Sequence, residues 1–309
     1  MPMITRLFPW LKPKTQTGLL AIHASADDLS HAELIWRNGR PMLAACVFRA
    51  GEAASEKSWS RFGNAPLPAS LVLAPGDYQI LPIDAPPVPP QEMKMAVRWR
   101  IKDLIDFPVD DATVDVIRLD TGPADTGGKL LAVVAHNQVL KRHIELAERT
   151  RLKLTAIDIP ELAQRNIAAL LETPDRVLAL LSFTPQGGLL TLTRNGALCF
   201  YRRIEFSGQT LAGMDQERMR PAFDRLALEL QRSLDHIERQ HGDWRLDKIV
   251  LALPAAVPGL ADYLREQLYL PLEAADLDGV FDGDLPDPST LAACWFALGG
   301  ALRREEKAL

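Results

Sequence analysis

The stretch that decides the fold is Arg176 to Gly208, RVLALLSFTPQGGLLTLTRNGALCFYRRIEFSG. Val177 to Phe183 is a short apolar run, Gly187-Gly188 opens a second run from Leu189 to Thr193, Asn195-Gly196 turns the chain, and Leu198 to Ile204 returns. Both residues of a two-residue hairpin turn must accept positive φ, so Asn-Gly between such runs is a strong hairpin signal. The spacing predicts three consecutive strands. The same plan stands earlier in the chain: Gly18 to Ala24, His31 to Trp36, an Arg37-Asn38-Gly39 turn, and Met42 to Arg49. Each set leads into alternating helix and strand patterns of similar size. The chain therefore reads as two related α/β lobes, residues 1–170 and 171–309.

Residues 76–150 read as a small α/β unit inserted in the first lobe. Leu71 to Ala74 and Gln79 to Leu81 look like short strands, and Pro82 to Pro90 holds five prolines, which keeps it extended. Gln91 to Ile105 has a helical pattern with Met95, Val97, Trp99 and Ile101 to Leu104 available to bury, stopped at Phe107-Pro108. Thr113 to Leu119 and Leu130 to Ala135 pair across a glycine-rich loop, and Asn137 to Arg149 is an amphipathic helix. That loop, Gly122 to Lys129, is a hairpin tip and not a phosphate loop, because no Ser or Thr follows its lysine and it joins two strands.

Ala156 to Ile159 reads as a strand and Glu161 to Leu171 as a helix begun after Pro160. In the second lobe Pro221 to Gln240 is a helix with one apolar stripe, Phe223, Leu226, Leu230, Leu234 and Ile237. Lys248 to Leu253 and Pro271 to Ala275 read as strands flanking a helix from Gly259 to Gln267. An acidic loop, Leu277 to Pro288, precedes a closing helix from Thr290 to Leu302, whose Gly299-Gly300 permits close packing.

Composition narrows the function. At 309 residues and 47% apolar the chain can fill two cores, and its formal charge of -5 argues against a nucleic-acid footprint. The isolated Cys46, Cys199 and Cys294 fit buried thiols in a reducing compartment, so a cytoplasmic location is expected. Neither a membrane span nor a signal peptide is legible. Met1 to Lys14 carries three prolines together with Leu7, Phe8 and Trp10, which suits either a frayed terminus or an apolar anchoring peptide.

No G-x-S-x-G, H-E-x-x-H or G-x-G-x-x-G motif is present, and no two histidines fall at i and i+4 on one helix. No catalytic residue, metal site or cofactor is therefore expected.

Several stretches, in shared order, resemble the PilM family of type IV pilus assembly proteins within the actin-like ATPase superfamily. These are RIKDLIDFPVDDATVDV (Arg100 to Val116), the run from Leu131 to Leu170 with its I-D-x-x-x-L-A pattern at Ile157 to Ala163, LALELQRSLDHIERQ (Leu226 to Gln240), and ALGGALRRE (Ala297 to Glu305). Within that family the likeness is strongest to the MshI-type proteins of mannose-sensitive haemagglutinin (MSHA) pili. The resemblance implies an α/β, actin-like, RNase H-like duplicated fold of two lobes with the small inserted subdomain.

ATP-binding members carry a D-x-G strand turn in each lobe and a late Gly-Gly turn. Here those positions read Ile22-His23-Ala24-Ser25, Leu181-Ser182-Phe183-Thr184 and Leu251-Ala252-Leu253-Pro254. Without the Asp and Gly, backbone amides cannot approach phosphates as closely. The resemblance thus implies a non-enzymatic, peripheral inner-membrane scaffold, with Ser25, Ser182, Thr184 and Pro254 marking a degenerate nucleotide site. It implies a groove that clasps the cytoplasmic tail of a single-pass, PilN-like partner, with Trp99, Leu104, Ile105 and Phe107 as its candidates; Trp99 and Phe107 fit ordinary core equally well. The chain's own Leu7, Phe8 and Trp10 resemble such a tail and could dock in the groove, and a homo-oligomer is compatible. Two rival functions are an active ATPase using Ser25, Ser182 and Thr184, and a cytoplasmic component of a type II secretion system.

Overall fold

A computed structural model describes residues 18–25, 27–63, 65–119, 128–240, 244–252 and 257–304. Leu7, Phe8, Trp10 and Pro254 lie outside the described residues.

The first set of strands is β1 (Gly18–Ala24), β2 (Leu29–Arg37) and β3 (Arg40–Arg49), and the second is β9 (Val177–Thr184), β10 (Gly187–Arg194) and β11 (Ala197–Ile204). The two hairpin tips adopt the same left-handed conformation: φ is 51° at Asn38 and 82° at Gly39, against 51° at Asn195 and 75° at Gly196. Each set then gains two parallel strands, β4 (Ala69–Val72) and β8 (Leu154–Asp158) in the first, β12 (Leu246–Leu251) and β13 (Leu272–Ala274) in the second. The resulting sheet orders, β3-β2-β1-β4-β8 and β11-β10-β9-β12-β13, correspond strand for strand. The duplication read from the hairpins is a duplication of whole sheets.

Between the sheets lie α4 (Pro160–Ala168) and α9 (Trp295–Ala301). One core cluster joins Ala21, Leu34 and Val72 of the first sheet to Leu180, Leu189 and Val250 of the second through Ile167, Trp295 and Leu298. The helices touch because Gly299 has no side chain: a Cβ there would lie 2.1 Å from the Ala163 carbonyl oxygen. The closing helix is two helices, α8 (Pro288–Ala293) and α9, interrupted at Cys294. Asp287 caps α8 by accepting from the backbone amides of Ser289 and Thr290, both at 3.0 Å. Since α9 packs on β1, β2 and β4, a division at residue 170 follows the sheets and not the packing.

The insertion is a three-stranded antiparallel sheet, β5 (Tyr78–Asp84), β7 (Lys129–His136) and β6 (Ala112–Arg118), with β7 in the middle. Pro82, read as the start of an extended segment, lies within β5, an edge strand where a missing N–H is tolerated. Helix α2 spans Met93–Ile101, shorter than the pattern suggested, and buries Met93, Val97 and Ile101 against Leu130, Ala132 and Val134. Met95, Trp99 and Leu104, expected to be available for burial, are exposed. Their spacing explains the misreading: apolar residues recur at alternate positions from 93 to 101, so two of them must fall on the solvent side of a helix. Helix α3 (Asn137–Arg149), grouped by sequence with the insertion, buries Leu146 and Ala147 beside Leu20, Ile22 and Leu71 of the first sheet.

In the second lobe α6 (Gln216–Gln240) starts before Pro221 and buries the expected stripe of Phe223, Leu226, Leu230, Leu234 and Ile237. The acidic loop after β13 reaches back to the first sheet, where Asp282 exchanges backbone hydrogen bonds with Pro41 and Leu43 of β3 at 2.9 and 3.1 Å.

Candidate functional site: the interlobe cleft and the insertion

The turns that follow β1 and β9 stand at the carboxyl ends of those strands, at corresponding places in the two sheets. In α/β sheets this is where ligands bind. The hydroxyls at these turns already have partners. Ser25 Oγ accepts from the Asp28 amide at 3.0 Å and closes its own turn. Thr184 Oγ1 donates to the Gly187 carbonyl at 3.1 Å and accepts from the Gln186 amide at 3.3 Å, closing the corresponding turn of the second lobe. Ser182 points inward and donates to Gln164 Oε1 at 2.5 Å.

Gln164, fully buried on α4, is a junction. Its Oε1 also accepts from Trp295 Nε1 at 3.1 Å, and its amide donates to the carbonyls of Leu180 and Leu189 at 2.9 and 3.0 Å. One side chain thus ties α9 to the second sheet. Beside the second-lobe turn is a cavity of about 190 Å³, lined by Pro75, Pro160, Thr184, Gly187, Arg203 and Phe296 among others, and another of about 290 Å³ lies among Phe48 of β3, Phe183, Thr184 and Thr290.

At the first of these cavities three remote elements meet. Glu161, in the first turn of α4 and fully buried, accepts from the Tyr78 hydroxyl of β5 at 2.5 Å. Its other oxygen accepts from Arg203 of β11, from Nε at 3.0 Å and Nη2 at 2.7 Å. Arg203 Nη2 also donates to the Tyr78 oxygen, and the guanidinium lies 5.3 Å from the Tyr78 ring centroid. The insertion, the interlobe helix and the second lobe are joined by one charged cluster. Burial, reinforced by the Glu161 charge, pushes the Tyr78 hydroxyl far above its ordinary pKa. Burial works against the Arg203 charge, but the Glu161 carboxylate more than offsets it and raises that pKa. A second buried pair, Asp158 and Arg303 at 2.7 Å, fixes the chain just after α9 to the end of β8.

Sequence reading missed this cluster. The available signal was polar Glu161 and Gln164, three apart on a helix that otherwise buries Pro160, Ala163, Ile167 and Ala168.

Across the insertion the four candidate groove residues separate. Ile105 and Phe107 are half-buried against the insertion's core. Trp99 and Leu104 face water, 65% and 57% exposed. Phe107 also touches His136 at the start of α3, with ring centroids 4.9 Å apart. His136 begins a groove of about 570 Å³ along α3, lined by Gln138, Val139, Lys141, Arg142 and Glu145. Arg142 is shared with a hollow of about 330 Å³ beneath Ser25 and Asp77. The floor of that hollow includes His143, stacked on Trp59, whose approach to Asp77 at 3.8 Å holds the Asp77 carboxyl below its usual range. The groove follows one face of α3, with Phe107 in contact with His136 at its start and Trp99 on the exposed side of α2.

Among the described residues, no group of three or more His, Cys, Asp or Glu could hold a metal ion, and no helix is long and apolar enough to cross a membrane.

No protein-family model matches the sequence, and no curated protein does. Solved structures do match. A chain of a PilM-PilN type IV pilus biogenesis complex superimposes with a TM-score of 0.72 at 21% identity, over 93% of this chain and 98% of that one. A Bacteroides thetaiotaomicron protein of actin-like ATPase fold and unknown function aligns with a TM-score of 0.50 at 9% identity, over 87% and 94% of the two chains. The cytoplasmic domain of EpsL, an inner-membrane component of the Vibrio cholerae type II secretion system, overlaps more loosely, with a TM-score of 0.47 at 12% identity over 90% and 94%. Matching sheet orders, matching hairpin tips and the first two of these superpositions together give the chain an actin-like, two-lobe α/β fold with a small inserted sheet.

Proposed function

We propose that this protein is a non-enzymatic cytoplasmic scaffold of a type IV pilus assembly complex of the MSHA kind, peripheral to the inner membrane. It grips the cytoplasmic tail of a single-pass, PilN-like partner. The observation that carries this reading is the state of the cleft. Phosphoryl transfer needs a held metal and free donors around a triphosphate. Here the hydroxyls of Ser25, Ser182 and Thr184 are engaged within the protein, and the hollows beside the two turns, about 190 and 290 Å³ at Thr184 and about 330 Å³ at Ser25, lie at or near the roughly 300 Å³ lower bound of small-molecule pockets. In this reading the cleft holds no adenine nucleotide or magnesium. The likeness to a chain of a PilM-PilN complex supports the choice of partner.

The seat for the tail is the groove along α3, which begins at His136 beside Phe107. An extended peptide there gains main-chain hydrogen bonds from polar walls and one or two apolar anchors. The protein's own Leu7, Phe8 and Trp10 compete for the same seat in this reading. Calorimetric titration with synthetic tails of candidate pilus and secretion membrane proteins tests it. A pilus-type tail should bind saturably, and Phe107→Ala should weaken it about tenfold, the equivalent of one lost apolar anchor. Saturable binding of Mg·ATP with no tail bound would overturn the reading.

A further inference from the structure

Helix α2 is apolar on both sides. Met93, Val97 and Ile101 are buried, while Met95 and Trp99 form the opposite crest and Leu104 follows in the next turn; these three are 65, 65 and 57% exposed. A surface helix ordinarily turns polar residues to water. Clustered exposure of large side chains marks an interaction site.

The charges around the crest select the partner. From Met93 to Lys102 there are four cations, Lys94, Arg98, Arg100 and Lys102, and no acid, in a chain whose formal charge is -5. Lys94 pairs with Asp115 at 2.7 Å and Arg98 approaches the exposed Asp110 at 3.5 Å. Arg100 donates to the Asp84 carbonyl, and Lys102 has no carboxylate partner among the described residues. Asp103 and Asp106 begin beyond it. With Glu92 just before the run, four cations stand against three acids from Glu92 to Asp106, and the cations are the charges carried by α2 and its C-cap Lys102, flanking the apolar crest.

Size distinguishes a protein from a bilayer. A stable protein interface needs about 800 Å² on each side, whereas even an aromatic side chain buries only about 150–250 Å². Three side chains fall short of that. They are enough to enter a lipid headgroup layer, where tryptophan is favoured and neighbouring cations reach anionic phosphates along their apolar stems.

We propose that the Met95–Trp99–Leu104 crest of α2 rests on an anionic membrane surface. This deepens the scaffold reading, since it requires that the protein work beside the bilayer. A crest this small gives weak, reversible attachment. Joined to a membrane-anchored tail in the α3 groove, it adds avidity and orients the insertion toward the lipid.

The test is flotation of the full chain, without any partner, on vesicles of phosphatidylethanolamine with phosphatidylglycerol and on vesicles of phosphatidylcholine alone. The chain should float with the phosphatidylglycerol vesicles at about 0.1 M salt and be released near 1 M. Brominated acyl chains should quench part of its tryptophan emission, and Trp99→Ser should abolish that quenching. The double variant Met95→Ser with Trp99→Ser should lower partitioning about tenfold or more, and Arg100→Glu with Lys102→Glu should remove its salt dependence. None of these changes should alter tail binding at the α3 groove.

Absence of partitioning by the wild-type chain at low salt would overturn the proposal. So would a concentration-dependent dimer lost in the Met95 and Trp99 double variant, which would assign the crest to a second copy. Loss of tail binding in Trp99→Ser with partitioning intact would assign it to the partner. A chain that partitions as expected but binds no tail would leave this proposal standing and count against the α3 groove.

Discussion

The interlobe cleft and the insertion differ in how they treat polar and apolar groups. In the cleft, Gln164 satisfies acceptors and donors from three elements, Glu161 is neutralised by Arg203, and apolar Trp295 and Phe296 fill the space between the sheets. On the insertion, α2 leaves Trp99 and Met95 in water. The cleft spends most of its polar groups on its own frame, with His23 Nε2 and Gln186 Oε1 left without a hydrogen-bond partner among the described residues at the two turns. An exposed apolar crest is unsatisfied until something covers it. In the proposed reading the work of this molecule lies at its periphery and the cleft has a structural role.

Substitutions sharpen the comparison. The largest effect should come from Glu161→Ala, which strands Arg203 and the Tyr78 hydroxyl in a buried setting. Breaking such a pair costs about 3 kcal/mol, and the 40% exposure of the Arg203 side chain keeps the figure at the low end of its range. A lowered urea midpoint measures it; an unchanged midpoint would show that the cluster does not join the lobes. Gly299→Val comes next. Its side chain would start within 2.1 Å of the Ala163 carbonyl, forcing α4 and α9 apart at about 2 kcal/mol of overpacking, read as a drop in Tm.

A pH effect should follow from buried histidine. Burial, with smaller contributions from Arg49 and Arg61, lowers the His31 pKa from 6.5 to about 4. The folded chain keeps this ring neutral where the unfolded chain takes up a proton. Stability is therefore complete above pH 6.5 and falls as pH drops from 6.5 toward 4. His23, lowered mainly by its burial, acts in the same direction. Urea midpoints across that range should decline, and His31→Leu should reduce the slope. The smallest effect on stability belongs to Trp99→Ser, which should stay within about 0.5 kcal/mol of wild type because the residue is 65% exposed. A larger loss in thermal unfolding would mean that the crest is covered in solution.

The contrast also explains what could be read in advance. Both hairpin tips were legible because Asn-Gly at a two-residue turn reports a local requirement for positive φ, met at Asn38-Gly39 and Asn195-Gly196. The sheets followed from them. The charged cluster was not legible, because Tyr78 and Glu161 are 83 residues apart and Tyr78 and Arg203 are 125 apart, and no local periodicity encodes such a meeting. Trp99 was misassigned for a different reason. Alternating apolar residues do not say which face of a short helix meets the core, and that choice is made by the β7 side chains Leu130, Ala132 and Val134. The Ser25, Ser182 and Thr184 positions were legible as departures from a phosphate-binding pattern, while their internal partners, Asp28, Gln164 and Gly187, emerged only from the fold.

Calorimetric titration of the full chain with Mg·ATP bears most directly on the central claim. A closed cleft predicts no saturable heat up to about 1 mM nucleotide, equivalent to a binding free energy weaker than about 4 kcal/mol. A one-site isotherm in the micromolar range would contradict it.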